Sequence, residues 1–153
     1  MVNIFCDGAA NLDAAGCAVV IIGRGVYMRG LGKTTNNVAE TKALLAAMDV
    51  AFTMYPNEYS TIYCDSMIAI GYASLGWKTG KTAQHLEPIR VKLVERYRQL
   101  IDRGGFELIH THGHDSSGSL LAHGNSLADE YAVKARLTVP EGETKFVSFC
   151  LVP

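Results

Sequence analysis

The chain has 153 residues, the size of one domain, and its 48% hydrophobic and 19% charged residues are typical of a folded globular protein. The formal net charge of −1 provides no global attraction to nucleic acid, so nucleic-acid binding would require a local basic patch. No apolar run approaches the roughly 20 residues of a membrane span, and residues 1–3 lead into a strand without a basic start or a cleavage site. We therefore expect no membrane contact and a cytoplasmic protein.

The cysteines are expected to be reduced core residues. They lie in apolar, strand-like runs and form no C-x-x-C pair: Cys6, Cys17, Cys64 and Cys150. Cys6 and Cys64 each precede an aspartate, and strand alternation turns them to the opposite face of the sheet from those carboxylates. They are therefore poor candidates for metal ligands.

Short apolar runs bounded by turn residues predict strands over residues 2–6, 16–22, 26–31, 61–64 and 106–111. A small-residue run at 7–11 is predicted to be a turn after the first strand. Helical spacing of apolar residues predicts helices over about 37–54, from a cap at 65–66 to about 75, over about 86–101 and over about 125–136. A loop rich in Ser, Gly and Leu is predicted at 115–124.

This order of elements predicts an α/β fold. Three antiparallel strands followed by alternating helices and strands indicate a mixed five-stranded sheet with helices on both faces. We expect a single domain over residues 1–153, with the C-terminal tail 139–153 docked against it.

Four acidic residues are the candidates for chemistry, and each also has a structural explanation. Asp7 is suited to a turn before Gly8, and Asp65 to the N-cap of the next helix. Asp129 resembles a solvated acid of an amphipathic helix. Glu40 stands at capping-box spacing from Asn37. However, Glu40 shares one helical face with apolar residues at i+4, i+7 and i+11, which turns its carboxylate toward the sheet.

Taken together, the four acids indicate a metal site. Carboxylates that converge in one pocket repel each other unless a cation is present, and hard divalent ions such as Mg²⁺ prefer oxygen ligands. Two such ions about 4 Å apart activate a water and stabilise the leaving oxygen of a phosphodiester. The pattern therefore favours phosphoryl chemistry.

A histidine-rich run leaves a second metal hypothesis open. His110, His112 and His114 alternate, so on a strand they would share a face and could bind zinc. The run is also a scrambled form of the His-x-His-x-Asp-His motif of metallo-β-lactamases, with its last two residues in the wrong order. The milder interpretation places His114 on the loop, where it could relay protons or help product leave.

Several short motifs, in order and spacing, resemble a type 1 ribonuclease H over about residues 2–137. They are Asp7-Gly8-Ala9, Thr35-Asn36-Asn37-x-x-Glu40, Asp65-Ser66, Gly76-Trp77-Lys78-Thr79, Gly113-His114 and Asn125-x-x-x-Asp129. The resemblance implies a ribonuclease H-like fold. It also implies endonucleolytic cleavage of the RNA strand of RNA/DNA hybrids, leaving 5′-phosphate and 3′-hydroxyl ends.

The resemblance further implies roles for individual residues. Two Mg²⁺ ions, with Mn²⁺ able to substitute, would be held by Asp7, Glu40, Asp65 and Asp129. His114 would assist proton transfer or product release. The hybrid would be contacted by Asn11, Thr35, Asn36, Asn37, Trp77, Lys78, Lys81 and Asn125. The Asn residues would read the minor groove, where 2′-hydroxyls are displayed.

Two departures from the family's pattern concern substrate binding. Met67 stands where the family often has Gln, so the same hydrogen bond to a base or sugar is lost. The basic protrusion that many bacterial members use to grip the hybrid is trimmed. The cations between residues 78 and 98 predict a substitute track for phosphates, and they are Lys78, Lys81, Arg90, Lys92, Arg96 and Arg98. The alternative explanation of these cations is a solvated helix face.

Three rival functions remain at this point. A hybrid-binding module that has lost its chemistry would bind without turnover, a zinc hydrolase would carry stoichiometric zinc, and a nuclease of related fold would act on DNA. We expect a monomer whose partner is an RNA/DNA hybrid.

Overall fold

The computed structural model describes residues 1–112 and 119–149. Its strands are β1 (Val2–Ala10), β2 (Ala15–Ile21), β3 (Gly25–Gly32), β4 (Ser60–Cys64), β5 (Phe106–His110) and β6 (Thr144–Ser148). Its α-helices are α1 (Asn36–Met54), α2 (Met67–Ser74), α3 (Glu87–Arg103) and α4 (Leu120–Thr138), and a short 3-10 helix (Lys81–Leu86) precedes α3.

The strands form one mixed sheet in the order β5-β4-β1-β2-β3-β6. β1, β2 and β3 pair antiparallel, whereas β4 pairs parallel with β1 and with β5. This confirms the predicted mixed sheet. The predicted number of five strands is wrong by one, because β6 from the C-terminal tail adds antiparallel to β3.

The two faces of the sheet support separate apolar cores. Alternate residues of the strands, including Ile4, Val19 and Ile62, pack under α1, α2 and α3. The intervening residues, including Phe5 and Val20, pack under α4. The sheet is therefore covered by helices on both sides, as predicted, and residues at the carboxyl ends of β1 and β4 lie between the two helical layers.

β1 runs through the stretch that was predicted to be a turn. Asp7 pairs with Ala18 and Gly8 with Cys17, so both lie inside the strand. The reason is packing: a Cβ at Gly8 would lie 2.6 Å from the carbonyl oxygen of Ala39 on α1. The glycine thus permits a helix to approach the strand instead of reversing the chain.

Serine and threonine residues cap α1, α2 and α4, and two residues considered as N-caps, Asn37 and Asp65, do not cap a helix. Thr35, not Asn37, is the N-cap of α1, and its Oγ1 accepts a hydrogen bond from the Val38 amide at 3.2 Å. Ser66, not Asp65, caps α2, and its Oγ accepts from the Ala69 amide at 3.1 Å. Neither Glu40 nor Asp65 is therefore needed to begin a helix.

The last helix begins earlier than predicted. α4 starts at Leu120 with Ser119 as its N-cap, so residues 120–124 of the predicted loop are helical. Gly124 lies inside the helix, where a Cβ would stand 2.5 Å from Cδ1 of Phe5. The missing side chain therefore lets α4 pack against this ring. None of the helices in the described ranges combines the length and apolar character that a transmembrane span requires.

Candidate active site

Three carboxylates converge at the carboxyl ends of β1 and β4. Asp7 lies on β1, Asp65 directly follows β4, and Glu40 lies on α1; their oxygens all lie within 4.8 Å of one another. The register explains the first pair. Cys6 and Cys64 are paired across the parallel strands, so the residues that follow them are neighbours.

Glu40 reaches the pair from the adjacent helix. It is five residues into α1, beyond the capping position, so the capping-box explanation of this residue is wrong. The Nδ2 of Asn36 donates to Glu40 Oε1 at 3.1 Å, and the Ser66 side chain also hydrogen-bonds to the carboxylate. Two polar side chains therefore orient the only carboxylate of the three that comes from a helix.

The electrostatics of the cluster favour a bound cation. Burial, followed by the charge of Asp65, raises the pKa of Asp7 from 3.8 to about 8, although the Gly8 amide donates to Asp7 Oδ1 at 2.9 Å and opposes the shift. Burial and the Asp65 charge also raise the pKa of Glu40. Such groups remain ionised when a divalent ion offsets their repulsion, and carboxylate oxygens are the ligands that hard ions prefer. The donor set fits a divalent metal.

Asp129 stands at the rim of this cluster. It lies on α4 and is exposed, and it is outside the group of three whose oxygens lie within 4.8 Å of one another. Its negative charge still contributes to the raised pKa of Asp7. The two helical layers thus present one acid each, Glu40 from α1 and Asp129 from α4, to the two acids of the sheet.

The histidines are divided between described and undescribed residues. His114 lies outside the described residues. His110 and His112 are exposed, their ring centroids are 5.2 Å apart, and His110 Nε2 lies 3.3 Å from the Asp65 carbonyl oxygen. The group of three metal-type ligands found within residues 1–112 and 119–149 contains no histidine, so the zinc hypothesis gains no support there.

The asparagines predicted to contact a hybrid differ in their surroundings. Asn36 and Asn37 are exposed at the start of α1, beside Glu40. The Oδ1 of Asn11 accepts from two backbone amides of the β1–β2 turn, at 2.9 Å each, so this side chain also shapes the turn. Asn125 accepts from Thr111 Oγ1 at 3.1 Å, while its Nδ2 is buried without a partner in the described structure.

The predicted phosphate track is partly neutralised. Arg90 forms an ion pair with Glu87, and Arg96 Nε contacts Asp49 Oδ1 at 2.8 Å. Lys78 and Lys81 are exposed. Trp77 is 43% exposed and covers Gly71 of α2, whose missing side chain makes room for the indole. Two of the six cations of the predicted track are therefore engaged in ion pairs, and Trp77 packs on α2 with its outer part open to solvent.

Two contributors to the site were not predicted. The sequence predicts only a capping role for Ser66, although its side chain also reaches Glu40. It predicts a turn at Gly8, although this glycine sets the approach of α1. The i, i+4 spacing of Asn36 and Glu40 was the one sequence signal that could have indicated their mutual hydrogen bond.

Comparison with known proteins identifies the family. The family model for RNase H matches residues 1–136. The chain belongs to the RNase H family. It is accordingly a ribonuclease that hydrolyses the RNA strand of RNA/DNA hybrids, and its acidic cluster agrees with the divalent-metal dependence of that family.

Solved structures of other proteins share the fold. RNase H1 from the halophilic archaeon Halobacterium salinarum is 22% identical with a TM-score of 0.64, over 88% of this chain and 96% of that one. LC11-RNase H1 in complex with an RNA/DNA hybrid is 21% identical with a TM-score of 0.63, over 88% and 99%. Prototype foamy virus protease-reverse transcriptase is 20% identical with a TM-score of 0.69, over 91% of this chain and 21% of that one. No curated protein matches the chain by sequence.

Proposed function

We propose that this RNase H cuts its hybrid substrate with two Mg²⁺ ions held by Asp7, Glu40, Asp65 and Asp129, leaving 5′-phosphate and 3′-hydroxyl ends. The observation that carries the proposal is the convergence of three carboxylates within 4.8 Å, two of them with raised pKa values. When bound, a pair of divalent ions supplies an activated water and charge stabilisation at the leaving oxygen.

The chain's own residues have distinct tasks in this proposal. Asn36 and Ser66 hold the Glu40 carboxylate in place, which fixes one ligand before substrate arrives. His114 assists proton transfer or product release. Asn37 and Thr35 contact the hybrid in its minor groove beside the carboxylates, so reading and cutting take place within one turn of α1.

We also propose that the enzyme acts as a monomer in the cytoplasm. All proposed ligands come from one chain, so the site is complete without a second copy. Cys6, Cys17 and Cys64 are free thiols, which agrees with a reducing compartment. Sedimentation of the purified chain and fractionation of source cells test the two statements.

Cleavage of matched RNA/DNA, RNA/RNA and DNA/DNA duplexes in Mg²⁺ tests the proposal. We expect cutting of the RNA strand of the hybrid alone, and loss of that activity in Asp65→Asn. Asp102→Asn, at an exposed position near the end of α3, is the matched control and should remain active. Equal cutting of DNA/DNA would indicate a DNA nuclease, and binding without turnover in Mg²⁺ or Mn²⁺ would indicate a hybrid-binding module.

A further inference from the structure

A side-chain hydrogen bond joins the last helix to the edge of the sheet. Thr111, which directly follows β5, is buried, and its Oγ1 donates to Oδ1 of Asn125 on α4 at 3.1 Å. The Nδ2 of the same amide is buried and has no partner in the described structure. The acceptor end of Asn125 is therefore engaged by the protein itself, and its donor end is closed to solvent.

The Thr111 end of this bond is fixed beside Asp65. The backbone amide of Thr111 donates to the carbonyl oxygen of Cys64 at 2.9 Å, and Cys64 directly precedes Asp65. The Nε2 of His110 lies 3.3 Å from the carbonyl oxygen of Asp65. Residues 110 and 111 thus hold the backbone that carries the Asp65 carboxylate.

The Asn125 end of the bond lies one helical turn before Asp129. Residues four apart are neighbours on one face of a helix, so the tie to Thr111 and the fourth acid share a face of α4. Asp65 and Asp129 come from a strand and a helix, and no backbone ladder connects such elements. Side-chain contacts must therefore set the separation of these two acids.

Packing does not fill the space beside this hydrogen bond. A cavity of about 250 Å³ lies between the end of β5 and the first turns of α4, and it is lined by Ile109, His110, Thr111, His112, Leu121 and Asn125. The helix packs chiefly on β1, β2 and β3. Because this side of α4 is incompletely filled, the hydrogen bond has a large part in fixing where the helix begins relative to β4 and β5.

We propose that Thr111 and Asn125 are positioning residues that set the place of the Asp129 carboxylate relative to Asp65. The inference rests on the proposed function, in which Asp129 is a metal ligand. Neither Thr111 nor Asn125 contacts the metal; both act through Asp129, as the groups that orient a metal ligand do in other sites. For Asn125 this role replaces the hybrid contact that the resemblance implies, because neither end of its amide is free to meet a substrate.

Titration with Mn²⁺ in the absence of substrate, followed by the electron paramagnetic resonance signal of the free ion, tests the inference. Thr111→Val keeps the shape of the side chain but removes the hydroxyl, and it should weaken Mn²⁺ binding about tenfold. Thr111→Ser retains the hydroxyl and should restore the affinity of the parent. Thr138→Val is the matched control, because its hydroxyl donates to the Lys134 carbonyl at the exposed end of α4. Equal Mn²⁺ affinity in Thr111→Val and the parent would overturn the inference.

A second background separates positioning from general destabilisation. In Asp129→Asn, addition of Thr111→Val should cause no further loss of Mn²⁺ affinity, and a further tenfold loss there would overturn the inference. In hybrid cleavage, Thr111→Val should raise the Mg²⁺ concentration for half-maximal activity and leave KM for the hybrid unchanged at saturating Mg²⁺. A rise in KM alone would instead assign the pair to hybrid binding.

Failure of the proposed function would be detected separately. If the unmodified chain does not cleave the hybrid in Mg²⁺, or if Asp129→Asn alone leaves Mn²⁺ affinity unchanged, the proposed metal site is wrong whatever the effect of Thr111→Val.

Discussion

Gly8 on β1 lies so close to Glu40 on α1 that a Cβ at position 8 would stand 2.5 Å from the Glu40 amide nitrogen. The contact is between backbones, so neither partner can move aside by changing a rotamer. Because Asp7 precedes Gly8, the distance between two of the three clustered carboxylates is set at this contact.

Replacing Gly8 by alanine should therefore affect both folding and chemistry. Overpacking of a tight contact costs about 1–3 kcal/mol of unfolding free energy, and a displacement of about 1 Å at a catalytic group lowers turnover by about 100-fold. Urea denaturation and hybrid cleavage measure the two effects. Gly80→Ala is the matched control, since a Cβ there has no atom within 4 Å and φ is −79°. Equal unfolding free energies and equal cleavage rates in the two variants would contradict the role of Gly8 in setting the approach of α1.

Divalent ions should stabilise the folded chain through the carboxylate cluster. A ligand at 100 times its Kd adds about 2.7 kcal/mol to the unfolding free energy, so Mg²⁺ or Mn²⁺ should raise the melting temperature and EDTA should reverse the change. Asp65→Asn should lose this response, whereas Asp102→Asn should keep it. Stoichiometric zinc in the purified protein, lost in His112→Ala, would instead favour the zinc hypothesis.

The metal-free protein should become less stable as the pH rises. The Asp7 carboxyl holds its proton to a pKa of about 8 in the folded chain, against 3.8 ordinarily. The contribution of this protonated carboxyl to the unfolding free energy is therefore fully present below about pH 4. It decreases between about pH 4 and pH 8, by no more than about 1.4 kcal/mol per pH unit. Urea denaturation in EDTA measures the slope.

Asp7→Asn should flatten this pH dependence, because the substituted amide does not titrate. Asp13→Asn, in the exposed turn after β1, should leave it unchanged. Saturating Mg²⁺ should also flatten the slope of the unmodified chain, since bound cations hold the carboxylates ionised. A slope that persists in Asp7→Asn would assign the titration to another group.

Asn36 and Asn37 should differ in their kinetic effects. Asn36 donates to the Glu40 carboxylate, so Asn36→Ala should raise the Mg²⁺ concentration needed for half-maximal activity, by about tenfold if a net 1.4 kcal/mol is lost. Asn37→Ala should instead raise KM for the hybrid at saturating Mg²⁺. Identical changes in both variants would show that Asn36 does not act through Glu40.

Gly124 and Phe5 should be energetically coupled. Gly124→Ala overpacks against the Phe5 ring and should cost about 1–3 kcal/mol of unfolding free energy. In a Phe5→Leu background the same change should cost less, with a coupling of at least about 0.5 kcal/mol in a double-mutant cycle. Additive costs would contradict the contact. The rate of hybrid cleavage should decrease in the variants that lose unfolding free energy, because α4 carries Asp129.

The parts of the fold that depend on local pattern were predictable. Alternation along β1 and β4 assigned Cys6 and Cys64 to one face and the following aspartates to the other, and the packing of both cysteines under α1 agrees with this. The order of strands and helices was sufficient to predict the mixed sheet. Strand alternation and the order of elements depend on residues that are close together in the sequence, so they can be predicted from it.

The parts that depend on distant residues were not predictable. Gly8 suggests a turn until α1, thirty residues later, is known to pack on it. Thr35 and Asn37 are both good N-cap residues, so local pattern does not decide between them, and the structure begins α1 after Thr35. Gly124 argues locally against a helix, but Phe5 makes its missing side chain favourable. The position of the fourth acid, Asp129, does not follow from local pattern, because a single acid on an amphipathic helix equally fits a solvated side chain.

β6 lies beyond the residues matched by the RNase H family, and it changes which strand forms the border of the sheet. Without it, the outer amides and carbonyls of β3 would be open next to buried Val26 and Met28, the kind of border at which separate chains associate. β6 is short and carries Lys145, two features that discourage strand pairing between molecules. We therefore expect the tail to protect the enzyme against aggregation, and shortening it should be detected first as a loss of colloidal stability.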